Sequence, residues 1–298
     1  MKFGFSVPNN QGVTRVADLV AMACQAEQLG FNSVWVSEHL FHATYVARRL
    51  GDRPYHEALT VLTAIACSTD KVRLGTSVLV LPWHHPARLA KTIASLDDLS
   101  DGRVDLGVGV AVTEDEFANL GVPFNTRGKQ TNDTLAALRA LWSEDLPGHN
   151  GPFYQFEGLR FEPKPRQNPL PIHVGGNSNA ALQRAVTFGQ GWHALIQGPD
   201  AMAERVRTLK QLMTDAGRRD ALHISLRVPV SLPAEPVDKP VGERQTLKGT
   251  QAQILETIAA YAGAGVDELI LDPTSANAQI VGESLRTLAP LLDLQLIC

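Results

Sequence analysis

Apolar and polar positions along this chain fall into blocks whose period switches back and forth. Residues 2–7 form a short apolar run, and residues 13–29 repeat apolar side chains at helical spacing before Gly30. Residues 33–37 read as a short buried strand and residues 55–69 as a helix. Residues 72–81 are nearly continuous in β-branched and apolar side chains, as expected of a strand covered on both faces. Pro82 and Pro86 interrupt that run. Leu89, Ile93, Leu96 and Leu99 then share one helical face, Gly102 closes the helix, and residues 104–110 are buried strand again. Two buried strands joined by one helix predict a right-handed βαβ unit.

The alternation continues to the end of the chain. Strands are predicted at residues 171–174, 191–195, 222–231 and 267–271. Helices are predicted at 127–142, 178–188, 199–216, 250–264 and 278–292. Two excursions interrupt it. Residues 145–168 contain a predicted small hairpin turning at Glu157-Gly158, and residues 232–249 read as a long mobile loop. Residues 38–54 read as a polar, basic loop. Eight strands alternating with eight helices predict an α/β fold of the (β/α)8 barrel type, one domain over 1–298, with insertions after the fourth and seventh strands. A doubly wound open sheet is the competitor. It is disfavoured because residues 8–12, PNNQG, carry no GxGxxG after the first strand.

Composition narrows the class. Hydrophobic residues make up 44% and charged residues 19%, as in ordinary globular proteins. A net charge of -4 argues against a general nucleic-acid binder. No apolar run is long enough for a membrane span, and the start lacks a signal-like region, so a cytoplasmic location is expected. Cys24, Cys67 and Cys298 show no metal spacing; Cys24 and Cys67 fall on apolar helix faces and are expected to be buried thiols.

In such barrels chemistry sits at the C-terminal strand ends. Gly175-Gly176-Asn177-Ser178-Asn179 leaves a strand and opens a helix, which brings bare N–H groups to a helix N-terminus and suits a phosphate. An ordinary N-cap by Ser178 or Asn177 explains the polar residues equally, though not both glycines. His39, beside Glu38 at the end of the second strand, is either a proton-transfer residue or a satisfied structural histidine. His84 and His85 point opposite ways in an extended chain, so no metal site is expected. Asp97 and Asp98 read as surface or helix-end residues. Arg48, Arg49 and Arg53 read as a solvated loop or as a clamp for an anionic tail.

Several segments carry a resemblance. GFNSVWVSEHL, VRLGTSVLVLPWHHPARLAKTIASLDDLSDGR, the stretch from LGVGV to EFANLGVPFNTRG, PIHVGGNSNAALQRAVTFGQGWH and GTQAQILETIAAYAGAGVDELIL occur in this order. Together they resemble the luciferase-like monooxygenase superfamily, barrel enzymes that use FMN or the deazaflavin coenzyme F-420. The resemblance implies an oxidoreductase acting on a small organic molecule. It implies that Glu38 and His39 lie beside the cofactor ring and that His39 is catalytic. Ser77-Val78 would form a non-proline cis peptide behind the ring, Val80 and Val110 would contact it, and Gly175, Gly176, Asn177, Ser178 and Asn179 would hold the cofactor phosphate. It further implies a homodimer; Leu59, Leu62 and Ile65 are candidates for its interface, and core burial explains them equally well. The loop at 232–248 carries no motif of the family, and in an enzyme of this kind it is expected to close over the mouth.

The F-420-dependent branch is the closer match and implies hydride transfer. The alternative within the superfamily is FMNH2 supplied by a separate reductase, with oxygen insertion. A non-catalytic flavin-binding barrel, or a phosphate-binding lyase or isomerase, is the reading from another class. Three places depart from the pattern. Val112 stands where some relatives carry a catalytic Glu, Ala111-Val112 replaces Gly-Trp, and Gly189-Gln190-Gly191 replaces Gly-Asp-Gly.

Overall fold

The structure, a computed structural model, describes residues 1–232 and 235–294. Its strands are β1 (Lys2–Ser6), β2 (Ser33–Val36), β3 (Arg73–Thr76), β4 (Leu79–Val80), β5 (Val104–Gly109), β6 (His149–Asn150), β7 (Gln155–Phe156), β8 (Ile172–Gly175), β9 (Gly191–Ala194), β10 (His223–Pro229) and β11 (Glu268–Asp272). Its helices are α1 (Val16–Gln28), α2 (Thr44–Leu50), α3 (Ala58–Ala66), α4 (Pro86–Leu99), α5 (Glu114–Asn119), α6 (Arg127–Ser143), α7 (Asn179–Phe188), α8 (Pro199–Asp215), α9 (Gln251–Gly263) and α10 (Ala278–Leu291).

One sheet runs β3-β2-β1-β11-β10-β9-β8-β5-β4, and β3 also pairs with β5, so the sheet closes on itself. Neighbouring strands are parallel throughout. β3 and β4 are two halves of one stave, separated at the Ser77-Val78 peptide, which is cis. Counted so, the staves number eight, the predicted barrel, and closure rules out the open sheet.

Long interior side chains fill the barrel. Trp35 is fully buried, and a Cβ on Gly75 of the next stave would overlap its ring. Glycine there lets the indole cross the interior and stack on His193, with ring centroids 5.1 Å apart and planes 11° from parallel.

Several local expectations are corrected. Residues 38–54 are not all loop, because α2 lies within them and is tied to α5 by a hydrogen bond from Thr44 Oγ1 to Asp115. The hairpin pairs β6 with β7, so its turn precedes Gln155 rather than falling at Glu157-Gly158. Residues 237–249 are anchored rather than mobile. Arg244 is buried and donates to the Lys239 carbonyl at 2.9 Å, to Glu256 at 2.7 Å and to Thr257 at 3.1 Å, and Tyr261 donates to the Arg244 carbonyl at 2.8 Å. A guanidinium with five N–H groups satisfies loop backbone that pattern reading leaves unassigned. Cys67 is exposed and Cys24 half-buried, so neither is the expected core thiol, and Cys298 lies outside the described residues. Asp97 is fully buried and accepts from the Gln167 N–H at 2.9 Å and its amide at 2.8 Å. Asp98 is the exposed one and pairs with Arg166.

Charge lies low in the barrel. Arg73 binds both oxygens of Asp105 at 2.6 Å, and His173 approaches Asp105 at 3.5 Å. Burial alone would raise the Asp105 carboxyl, but the hydrogen bonds from His173 and Arg73 outweigh it and hold the group down at about 2, against 3.8 in open chain. A depressed carboxyl contributes stability above its unfolded value that is lost as pH falls through the folded one. A displacement of that size is worth about 2.5 kcal/mol. Asp105→Asn is therefore expected to lower the unfolding free energy at neutral pH by about 2–3 kcal/mol. It should also flatten the dependence of stability on pH between about 4 and 2, which denaturant titrations at several pH values check.

Candidate active site at the barrel mouth

The break between β3 and β4 is built into its neighbours. The Val78 side chain enters a gap that exists only because three strand positions lack side chains. A Cβ on Gly109 would come within 2.6 Å of Val78 Cγ2 and one on Gly175 within 3.0 Å of Cγ1. One on Gly107 would overlap the Thr76 carbonyl oxygen. Glycines on β5 and β8 thus let Ser77-Val78 lean inward. The Ser77 hydroxyl meets His193 Nε2 at 2.8 Å, and His193 Nδ1 meets the Ser225 hydroxyl at 2.8 Å. Burial, with smaller contributions from His173, Arg227 and His223, pushes His193 down to about 3. The ring is neutral at physiological pH, so one nitrogen donates and the other accepts, which fixes the Ser77 hydroxyl.

Beside this bulge lies a cavity of about 260 Å3 lined by Ser77, Val78, Ala194, Leu195, Ile196 and Arg227, among others. That volume is slightly below the range of about 300–1,000 Å3 common for small-molecule sites, and the wall is mostly apolar. Arg227 and Asp272 form its polar rim. The guanidinium binds Asp272 Oδ2 through Nε at 3.0 Å and Nη2 at 2.6 Å, and reaches the Ser37 hydroxyl through Nη1 at 2.7 Å.

The second charged cluster centres on His39. Its Nδ1 lies 2.5 Å from Glu116 Oε2, and its Nε2 lies 2.8 Å from the Tyr45 hydroxyl. Glu116 is fully buried and also accepts from the Thr113 hydroxyl at 2.8 Å and from the N–H groups of Leu40 and Phe41 at 3.0 and 3.2 Å. Burial alone would raise its carboxyl, but the hydrogen bonds from His39 and Thr113 outweigh it and hold the group below its usual range. Tyr45, Tyr55 and Trp83 meet the imidazole edge-on at 5.3, 5.6 and 6.2 Å.

Adjacent residues thus serve different neighbours. Glu38 is buried and ties the second stave to the third, accepting from the Val80 N–H at 2.7 Å and binding His84 Nε2 at 2.8 Å. Burial would lower His84, but Glu38 outweighs it and holds the ring above its usual range. His85 caps α4, accepting from the Ala87 N–H. Val110 lies half-buried at the end of β5, next to Ala111 at φ 53°. A left-handed backbone at this position suits glycine better than alanine. Val112 is 81% exposed, and the carboxylate that reaches His39 is that of Glu116, four residues later. Sequence reasoning passed over Glu116, Tyr45, Arg227 and Asp272. The first was legible as an acid in the TEDEF run just beyond a strand end; the others carried no pattern signal.

The loop from Gly175 to Asn179 has structural as well as ligand-like features. Gly175 makes room for Val78, and Gly176 has φ 113°, which only glycine adopts without cost. The Asn177 side chain clasps Leu195, accepting from its N–H at 2.9 Å and donating to its carbonyl at 3.1 Å. Ser178 caps α7 through the Ala181 N–H. Arg205 of α8 donates to Asn179 at 2.9 Å and brings a cation to this helix N-terminus. Among the described residues no three His, Cys, Asp or Glu side chains converge as a metal site, and no helix is long and apolar enough to cross a membrane.

The profile of the luciferase-like monooxygenase family matches residues 1–236. The chain belongs to this family, and it is an oxidoreductase. An uncharacterised protein of Mycobacterium tuberculosis is 31% identical over 271 residues, covering 85% of this chain and 93% of that one. An F-420-dependent glucose-6-phosphate dehydrogenase of Amycolatopsis mediterranei is 31% identical over 196 residues (64% and 56% of the two chains). An FMNH2-dependent dimethylsulfone monooxygenase of Pseudomonas putida is 30% identical over 200 residues (62% and 53%). Among solved structures, the monooxygenase RslO1 from Streptomyces bottropensis superposes with a TM-score of 0.85 at 23% identity, over 98% of both chains. An F-420-dependent secondary alcohol dehydrogenase does so with 0.82 at 19% identity, again over 98% of both. Both share the luciferase-like barrel fold.

Proposed function

We propose that this family member uses the deazaflavin F-420 to move a hydride to or from a small, largely apolar organic substrate. The carrying observation is the Glu116–His39–Tyr45 hydrogen-bonded series at the end of the second stave. Hydride transfer to or from carbon bearing oxygen needs a balancing proton, and this series, anchored on the buried Glu116, is an oriented means of moving one. When bound, F-420 supplies a hydride-exchanging ring carbon that reacts poorly with oxygen.

The residues fit a flat ring. Val78 and its glycine neighbours form a smooth apolar back wall, Leu195 and Ile196 line the cavity beside it, and Arg227 offers donors at its rim. The backbone N–H groups at Ser178 and Asn179, with Arg205 nearby, would hold the cofactor phosphate. Val80 and Val110 would flank the ring, and Glu38 would hold the Val80 backbone in place beside it. The protein would work as a homodimer on a small-molecule substrate.

The similarity to the dimethylsulfone monooxygenase favours a second reading, in which FMNH2 from a separate reductase occupies the same wall. Titrating the purified protein with F-420 and, separately, with FMN and FMNH2 decides between them. The expected result is micromolar binding of F-420, read by fluorescence, with FMN at least tenfold weaker, a gap of about 1.4 kcal/mol. Tight FMNH2 binding without F-420 binding would establish the second reading instead.

A further inference from the structure

We propose that the barrel carries a second small-molecule site, on its floor at the N-terminal strand ends, and that this site takes a small hydroxycarboxylate. A cavity of about 550 Å3 opens there, within the range of about 300–1,000 Å3 common for small-molecule sites. Every stave contributes to its lining through a residue at or beside its start, so the cavity lies at the opposite end of the barrel from the Ser77-Val78 bulge.

A charged network that served stability alone would spend its groups on one another. Here the acceptors are spent and donors remain. Arg73 binds both oxygens of Asp105 at 2.6 Å. Glu268 accepts from the Ser33 hydroxyl and from His223 Nε2, the latter at 2.9 Å. Asn32 Oδ1 accepts the Phe3 N–H at 3.0 Å, and Gln190 Oε1 accepts the Ile172 N–H at 3.1 Å. Those two backbone N–H groups need an oxygen, which orients both amides and leaves their NH2 groups over. Among the described residues, Lys2 Nζ, Asn32 Nδ2, Arg73 Nη1 and Gln190 Nε2 donate to no protein group, and all four residues line the cavity.

Sheet order sorts these donors into two ends. Lys2, Asn32 and Arg73 belong to the adjacent staves of β1, β2 and β3. An ammonium, an amide NH2 and a guanidinium N–H side by side suit a carboxylate, whose oxygens accept several donors. Arg73 is paired with Asp105, so Lys2 is the lining cation left to balance a carboxylate. The other charged group at this rim, Asp267, lies 4.0 Å from His223 on the β11 side.

Gln190 stands across the barrel, at the start of β9, next to β8 and its His173. His173 is buried, its Nε2 faces Asp105 at 3.5 Å, and its Nδ1 is buried without a partner. With Nε2 donating to that carboxylate, Nδ1 of the neutral ring is an acceptor. A donor and an acceptor on neighbouring staves suit a hydroxyl, which takes one hydrogen bond and gives another. The ligand that uses both ends carries a carboxylate at one and a hydroxyl at the other.

The test is a titration of the full chain without cofactor, read by calorimetry and by side-chain amide NMR. The probes are glycolate and γ-hydroxybutyrate, with acetate, butyrate and inorganic phosphate as comparisons. One of the hydroxycarboxylates is expected to bind with a Kd of about 1 mM or below, at least about threefold tighter than its plain counterpart, and to shift the NH2 signals of Asn32 and Gln190. N32D and Q190E are the decisive variants, because each keeps the oxygen that holds the backbone and loses only the NH2 donor. Both should melt close to wild type. N32D should weaken hydroxycarboxylate and plain carboxylate alike by about tenfold or more, as should K2M, whereas Q190E should erase the advantage of the hydroxycarboxylate. Absence of hydroxycarboxylate binding up to about 10 mM, unchanged affinity in folded N32D and Q190E, or phosphate binding tighter than every carboxylate would overturn the site.

Discussion

His39→Ala should lower kcat by about 10²–10⁴-fold, the usual worth of a positioned acid–base group, and leave the fold intact. The loss follows from what remains. Without the imidazole, the Tyr45 hydroxyl has no partner through which to pass a proton inward, and the 2.5 Å bond to Glu116 is gone. The fold survives because Glu116 keeps the Thr113 hydroxyl and the N–H groups of Leu40 and Phe41, so the buried carboxylate is not orphaned. Steady-state kinetics with the cofactor that binds, alongside a thermal melt, check both halves. Turnover close to wild type in a folded His39→Ala protein would place the proton elsewhere on the mouth.

The second large effect concerns the wall behind the cavity. Gly109→Ala is expected to cost about 1–3 kcal/mol of stability and to weaken cofactor binding more than tenfold. The new Cβ would come within 2.6 Å of Val78 Cγ2, so Val78 must swing toward the cavity where the ring would lie. The obstacle is a side chain rather than backbone, which makes the effect reversible by design. Val78→Ala in the same protein removes the obstacle, and the double variant should be no less stable than Val78→Ala alone. A double-mutant cycle on unfolding free energy and on cofactor affinity reads this coupling. Strict additivity of the two substitutions would show that Gly109 and Val78 are not in contact. Gly107 is a harsher case, since a Cβ there meets the Thr76 carbonyl and no side-chain change relieves it.

What the sequence made legible follows from range. The hydrophobic period is a local property, and the eight staves came from it nearly unaided, because strands buried on both faces and helices with one apolar face look different within a few residues. Val72 to Leu81 illustrates both the success and its limit. The apolar run correctly announced a stave, but nothing in its pattern showed that Ser77-Val78 would break it into β3 and β4; that came from resemblance and is present in the structure. Short features fared worse. α2 hides in a basic stretch and is secured from outside by Asp115, and Arg244 anchors a segment that read as mobile.

The site divides the same way. His39 was legible because the barrel rule turns the end of an apolar strand into a candidate. Its partners were not, because Glu116 is 77 positions away and Tyr45 lies in a stretch with no periodic signal. Val112 looked like the point where an acid had been lost. The structure shows a carboxylate reaching His39 from Glu116, four residues further on in α5.

The chain alone therefore determined the architecture, the family resemblance and the strand ends where chemistry gathers, since all three are written in short-range pattern and motif order. Only the tertiary structure decided which side chains meet: Glu38 with His84, His39 with Glu116 and Tyr45, and Val78 with three glycines on other staves. The physical reason is that hydrogen bonds and steric contacts depend on ångström distances between residues far apart in sequence. Those distances exist only once the barrel has closed.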